Sequence, residues 1–225
     1  MLKLVIGNKL YSSWSLRPWL VLSAFSIPFE EIVIPLRRPE TASQLMEYSP
    51  SGKVPVLIDG DVTVWESLAI IEYLAEKFPD LPIWPRDGKA RAHARAIASE
   101  MHAGFQALRQ GCAMHLGARF ATPPITDALR ANVDRVEDIW SEARNRYGNG
   151  DGPFLYGAFS AADAMYAPVV TRFETYQMPV REATRSYMDA VLMHPALGEW
   201  RKAALVEPWS IPEYSAGHTL IENYV

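Results

Sequence analysis

Apolar residues come in short runs near the start of the chain and at helical spacing later, and the change falls near residue 88. Leu2, Leu4, Val5 and Ile6 form an apolar run that stops at Gly7-Asn8 and gives way to a helical stretch over 15–26. The β-branched Ile32, Val33 and Ile34 mark a second strand within 30–35, and 39–48 reads as a short helix ending before Ser49-Pro50. Val56-Leu57-Ile58 and Val62-Thr63-Val64 flank Asp59-Gly60-Asp61, whose Asp-Gly pair supplies the positive φ of a tight hairpin turn. Behind Glu66-Ser67, the residues Ile70, Ile71, Leu74, Ala75 and Phe78 recur at helical spacing. The predicted order over 1–78 is β-α-β-α-β-β-α.

Pro79, Pro82 and Pro85 exclude regular structure from the next stretch, so 79–88 reads as a linker anchored by Ile83 and Trp84. From there on the pattern is helical. One continuous helix is predicted from Lys89 to about Gly117, and a second over 126–147 with Gly148 as its stop. Ser160-Ala161-Ala162-Asp163 has the form of a capping box, with Phe159 as its staple residue. Further helices are predicted over 184–193 and 195–206. No strand is predicted beyond Gly88, which makes 89–225 an all-helical domain.

Composition narrows the function classes. With 225 residues, 49% hydrophobic and 21% charged, the chain can bury a sizeable core, which excludes disorder as its working state. A net charge of -4 leaves no footprint for phosphate backbones, so no nucleic-acid partner is expected. The longest apolar run, 164–170, is far short of a membrane span, and the first ten residues lack the apolar stretch of a signal peptide. A single cysteine, Cys112, forbids an internal disulfide and every multi-cysteine metal pattern, which suits the cytoplasm. The five histidines show no ligand spacing, so no metal is expected. Gly148-Asn149-Gly150-Asp151-Gly152 lacks the ending of a phosphate loop and reads as a flexible connection.

Chemistry concentrates where the first strand turns into the first helix, at Tyr11-Ser12-Ser13-Trp14-Ser15-Leu16-Arg17-Pro18-Trp19. Pro18 belongs in a first helical turn, which places Ser12 and Ser13 ahead of the helix and its positive dipole end. By themselves, serines there are caps. Two further motifs lie in the same unit: Ser51-Gly52-Lys53-Val54-Pro55-Val56-Leu57, and Trp65-Glu66-Ser67 opening the last helix.

With these motifs in this order, the chain resembles the cytosolic glutathione S-transferases over essentially its whole length. The resemblance implies a thioredoxin-like N-terminal domain followed by an all-helical domain, and glutathione as co-substrate. Ser12 matches the first serine of the S-x-x-S-x-R stretch that activates the glutathione thiol in serine-type members, with Ser13 as an adjacent rival. Val54, preceding a cis Pro55, would offer its backbone to the cysteinyl part. Glu66 and Ser67 would hold the γ-glutamyl end, and Lys53 the glycyl carboxylate. A free thiol near pKa 8.5 is only about 3% thiolate at neutral pH, so lowering that value is the first catalytic task.

The second substrate implied is a hydrophobic small-molecule electrophile lying between the domains against Trp14. Helical spacing adds Met101, Phe105 and Leu108 to that wall. Family members are homodimers, which sets the same expectation here. Maleylacetoacetate isomerases of the zeta class carry S-S-C-S-W-R where this chain has Ser12-Ser13-Trp14-Ser15-Leu16-Arg17, so isomerisation is the alternative activity. A non-enzymatic interaction module on the same fold is the third reading.

Overall fold

The computed structural model describes residues 1–148, 150 and 152–225. Asn149 and Asp151, inside the stretch predicted as a flexible connection, lie outside the described residues. The first half runs β1 (Leu2–Ile6), α1 (Ser13–Ala24), β2 (Phe29–Val33), α2 (Thr41–Tyr48), β3 (Val56–Asp59), β4 (Val62–Trp65) and α3 (Ser67–Lys77). The sheet order is β2-β1-β3-β4. β1 pairs parallel with β2, with Leu4 opposite Glu31, and antiparallel with β3, with Leu4 opposite Leu57. This is the thioredoxin-like arrangement expected. Gly60 takes φ +62 at the tip of the β3–β4 hairpin, the left-handed conformation for which the Asp-Gly pair was selected.

The second half holds α4 (Gly88–Ala103), α5 (Gln106–Gly111), β5 (Ala118–Phe120), α6 (Asp127–Tyr147), α7 (Ala161–Thr175), α8 (Glu182–Leu192), α9 (Pro195–Ala204) and β6 (Leu220–Asn223). Three expectations need correcting. Helix α1 begins at Ser13, so Pro18 sits in its second turn, where the Trp14 carbonyl loses its helical donor. The helix expected to run unbroken from Lys89 stops at Gly104, because Phe105 adopts a left-handed φ of +64, and α5 begins as a separate helix at Gln106. A Cβ on Gly104 would lie 2.9 Å from the Glu100 carbonyl oxygen, which is why glycine stands at the break. Finally, β5 and β6 pair antiparallel across some hundred residues of sequence, beyond the reach of a local pattern.

One hydrophobic core crosses both halves. Helix α7 is buried on nearly every side and packs on α1 and α4, so it joins the sheet-bearing half to the helical one. The connecting segment is pinned where the sequence placed its anchors: Ile83 and Trp84 are buried, and the Ile83 carbonyl accepts from the Ala161 amide at 2.7 Å. At the start of α7 the Asp163 carboxylate accepts from the Ser160 amide at 2.9 Å and the Ser160 hydroxyl at 3.0 Å. It also accepts from the Leu155 amide and the Tyr187 hydroxyl, both at 3.1 Å, so the capping box is tied to a loop and to α8.

Candidate functional site

Ser12 is the N-cap of α1, and both it and Ser13 are buried. The Ser12 hydroxyl donates to Ser15 Oγ at 2.7 Å, and Ser15 Oγ also accepts from the Gly7 amide at 3.1 Å. Ser13 Oγ accepts from Nη2 of Arg172, at 3.3 Å. Strand β1 thus fixes Ser15 through Gly7, and α7 fixes Ser13 through Arg172. Above the two serines lies a cleft of about 620 Å³ between the halves. Trp14, Leu36, Gly52, Lys53 and Val54 line it on one side, and Arg109, Met114, Arg172 and Tyr214 on the other. A neighbouring recess of about 230 Å³ shares Trp14, Lys53 and Val54 and adds Ser51, Pro55, Glu66 and His102.

The Val54–Pro55 peptide bond is cis. Glu66 is the N-cap of α3 at φ +70, a backbone conformation that side chains rarely adopt and that recurs at ligand sites. Its Oε2 stands 3.5 Å from Nε2 of His102. Ser67 is fully buried, yet its hydroxyl has no protein partner. Ser67 itself is not among the residues that line the recess; it follows Glu66, which is.

The cleft is strongly cationic at its base. Arg17 is wholly buried, with Nε donating to the Met165 carbonyl at 3.0 Å and both terminal nitrogens without a partner. Its guanidinium stacks 4.2 Å from the Trp14 ring centre, and that of Arg109 lies 4.6 Å from the same ring. Arg109 caps the broken end of α4 by donating to the carbonyls of Gly104, at 2.8 Å, and Met101. Burial pushes the pKa of all three arginines, Arg17, Arg109 and Arg172, below the ordinary value, and Arg17 and Arg172 each feel the charge of Arg109 as well. Among the described residues, none of them pairs with a carboxylate. His102 meets Trp14 edge-on at 5.1 Å, and burial lowers its pKa despite the opposing pull of Glu66.

The residues expected around the cleft divide in two. Ser12, Ser13, Trp14, Lys53, Val54, Pro55 and Glu66 come together around the cleft and its recess. Ser67 lies at the start of the same helix turn as Glu66. Met101, Phe105 and Leu108 do not reach it: all three are buried in the core, because the break at Gly104 destroys the single helical face that their spacing implied. Arg109, Met114 and Tyr214 take that place on the helical side. Sequence reasoning missed Arg109, Arg172 and His102. A signal existed for Arg172, an arginine two residues past the apolar run 164–170 on the same helix. Cys112 ends α5 with a buried thiol that burial pushes up to about 11, so it is an unreactive core residue.

Among the described residues, no group of three or more histidine, cysteine, aspartate or glutamate side chains is placed to hold a metal ion, and no helix is long and apolar enough to cross a membrane. Residues 11–77 match the family model described as "Glutathione S-transferase, N-terminal domain", and residues 90–203 that of the corresponding C-terminal domain. A probable maleylacetoacetate isomerase of Caenorhabditis elegans is 36% identical over 155 residues, 63% of this chain and 70% of its own length. Glutathione S-transferase Z2 of Arabidopsis thaliana is 30% identical over 193 residues, covering 80% and 84%. Among solved structures, a glutathione transferase homolog from Burkholderia GL BGR1 with bound glutathione superposes at a TM-score of 0.67 with 22% identity. It covers 90% of this chain and 97% of its own.

Proposed function

The chain belongs to the glutathione S-transferase family, and from that premise we propose that it holds glutathione in the cleft at the start of α1 and activates its thiol there for attack on an electrophile. It is a glutathione transferase with glutathione as co-substrate. The observation that carries the residue assignment is the hydrogen-bonded series Gly7 amide, Ser15 Oγ and Ser12 Oγ, which ends at the cleft. A hydroxyl rotates freely. When sulfur arrives, Ser15 can donate to Ser12 and Ser12 to the sulfur, so each donor in the series polarises the next. A bond to a charged acceptor contributes about 1.5 to 3 kcal/mol and a helix N-terminus about 0.3 to 1 more. Together they lower the thiol pKa by roughly 1.3 to 3, which raises the thiolate fraction at neutral pH from about 3% to between about 40% and 97%. Ser12 takes no proton: it stabilises the anion while the sulfur attacks.

In this reading Val54 offers its backbone to the cysteinyl part, Lys53 meets the glycyl carboxylate, and Glu66 and Ser67 hold the γ-glutamyl end. Glu66→Ala and Ser67→Ala are therefore expected to raise the glutathione KM more than they change kcat, since they bind a part of the substrate that does not react. Steady-state kinetics check this, and a pure kcat defect with KM unaltered contradicts it. The electrophile lies against Trp14, Leu36, Met114 and Tyr214, an apolar wall with Arg109 and Arg172 beside it. Isomerisation stays the second reading because the Caenorhabditis elegans relative is a probable maleylacetoacetate isomerase. Trp14 and Leu16 stand where the zeta-class motif has cysteine and tryptophan, which favours conjugation or glutathione-dependent reduction.

We place the protein in the cytoplasm as a two-fold homodimer. Supporting the dimer, the β4 edge strand exposes Val62 and Trp65, large apolar side chains that a monomer would leave in water. An interface burying well over 1,000 Å² persists at micromolar concentration. Sedimentation should therefore return twice the chain mass, and a species of 25.3 kDa would contradict it.

A further inference from the structure

Arg172 lines the cleft beside the two serines, yet the reading above leaves it without a task. Each nitrogen of its guanidinium donates to a neutral group: Nε to the Cys112 carbonyl at 2.8 Å, Nη1 to the Pro168 carbonyl at 3.2 Å and Nη2 to Ser13 Oγ at 3.3 Å. The charged and titratable groups around it are Arg17 on α1, Arg109 and Cys112 at α5, Tyr176 one turn along from its own position, and Tyr214 in the C-terminal segment. Glu213 stands exposed at the mouth of the cleft. Burial, reinforced by Arg109, brings the Arg172 pKa down to about 10, so it keeps its charge at neutral pH. A buried cation surrounded only by dipoles and other cations is costly unless an anion completes it.

The anion that the cleft generates is the sulfur of glutathione. We propose that Arg172 is a positioning residue for that thiolate: through Ser13 and by its own field, it supplies the positive charge that holds bound glutathione ionised. The step is a simple ionisation, in which the S–H bond breaks, the proton passes to solvent and the electron pair stays on sulfur. An opposite charge about 4 to 6 Å away lowers the pKa of an acid by about one to three. Because Ser13 Oγ accepts from the guanidinium, its own hydrogen is free to turn toward the cleft. Sulfur is thus met by Ser12 from the side of β1 and by Ser13 from the side of α7. The proposal rests on the glutathione reading.

The test is a pH titration of the thiolate ultraviolet band in the glutathione complex, for the unaltered protein and for Arg172→Lys, Arg172→Met and Arg172→Gln. The midpoint is expected to rise by about one to three pH units in the Met and Gln variants and to stay near the original in the Lys variant. Thermal stabilisation by glutathione identifies the variants that still fold and bind. Should Arg172→Met not fold, Arg172→Gln keeps an amide donor for the Cys112 carbonyl and carries the comparison. An unmoved midpoint in a neutral variant that binds glutathione overturns the proposal. So does an equal rise in Arg172→Lys, which would mark packing rather than charge. A complete lack of thiolate band in the unaltered protein would instead contradict the functional reading on which the proposal stands.

Discussion

Ser12→Ala is expected to lower the turnover of glutathione conjugation by roughly 10 to 150-fold, with the glutathione KM little changed. The range is the rate equivalent of one hydrogen bond to a charged acceptor, about 1.5 to 3 kcal/mol, expressed wholly in the transition state. Binding changes little because glutathione is held mainly by groups away from sulfur. The structure sharpens the expectation: removing the Ser12 hydroxyl cuts the series that begins at the Gly7 amide and leaves Ser15 Oγ nothing to donate to at the cleft. Steady-state kinetics of Ser12→Ala and Ser13→Ala side by side check the assignment. Unchanged turnover in the first with collapse in the second would move the role by one residue.

Asp163→Ala is expected to lower the free energy of unfolding by about 2 to 5 kcal/mol, seen as a shift of the denaturant midpoint. A helix cap alone is worth about 0.5 to 2 kcal/mol. Here the substitution also strips the Leu155 and Ser160 amides, both in buried surroundings, of their acceptor, and takes the partner of the Tyr187 hydroxyl. Part of the loss is offset because the carboxylate is itself costly to bury: desolvation pushes its pKa up to about 6, against the lowering effect of its hydrogen bonds. The sign of the pH dependence follows. The folded state holds this proton more tightly than the unfolded chain, whose carboxyl titrates near 3.9, so stabilisation is complete below that value and is lost as pH rises through about 6. A falling stability of the unaltered protein across this window, flattened in Asp163→Ala, is the expected pattern. An equal slope in both would contradict it.

Local rules carried most of the first half of the chain and isolated points beyond it. Gly60 in its hairpin, the Ser160–Asp163 cap and the buried anchors Ile83 and Trp84 are each governed by neighbours in sequence or by plain hydrophobicity. What was illegible depended on distance. Ala118 and Asn223 pair through a sheet ladder that no window of a dozen residues contains. The left-handed Phe105 shows the same limit: helical spacing on both sides of Gly104 reads as one continuous helix. That one error carried Met101, Phe105 and Leu108 into the site. In the site itself, short motifs located Ser12, Ser13, Lys53, Val54 and Glu66 at the cleft and its recess because these cluster at the ends of β1, α1, β3 and β4. The cations come from helices far apart in sequence, so only folding unites Arg17, Arg109 and Arg172 around Trp14 and Ser13.

If the cleft above Ser12 converts glutathione into a nucleophile, the initial rate of glutathione conjugation to a generic aromatic electrophile reads that conversion out. The rate is expected to saturate with glutathione and to collapse in Ser12→Ala while the variant still binds glutathione. A rate no faster than the reaction in buffer alone, from folded protein retained on immobilised glutathione, would contradict it.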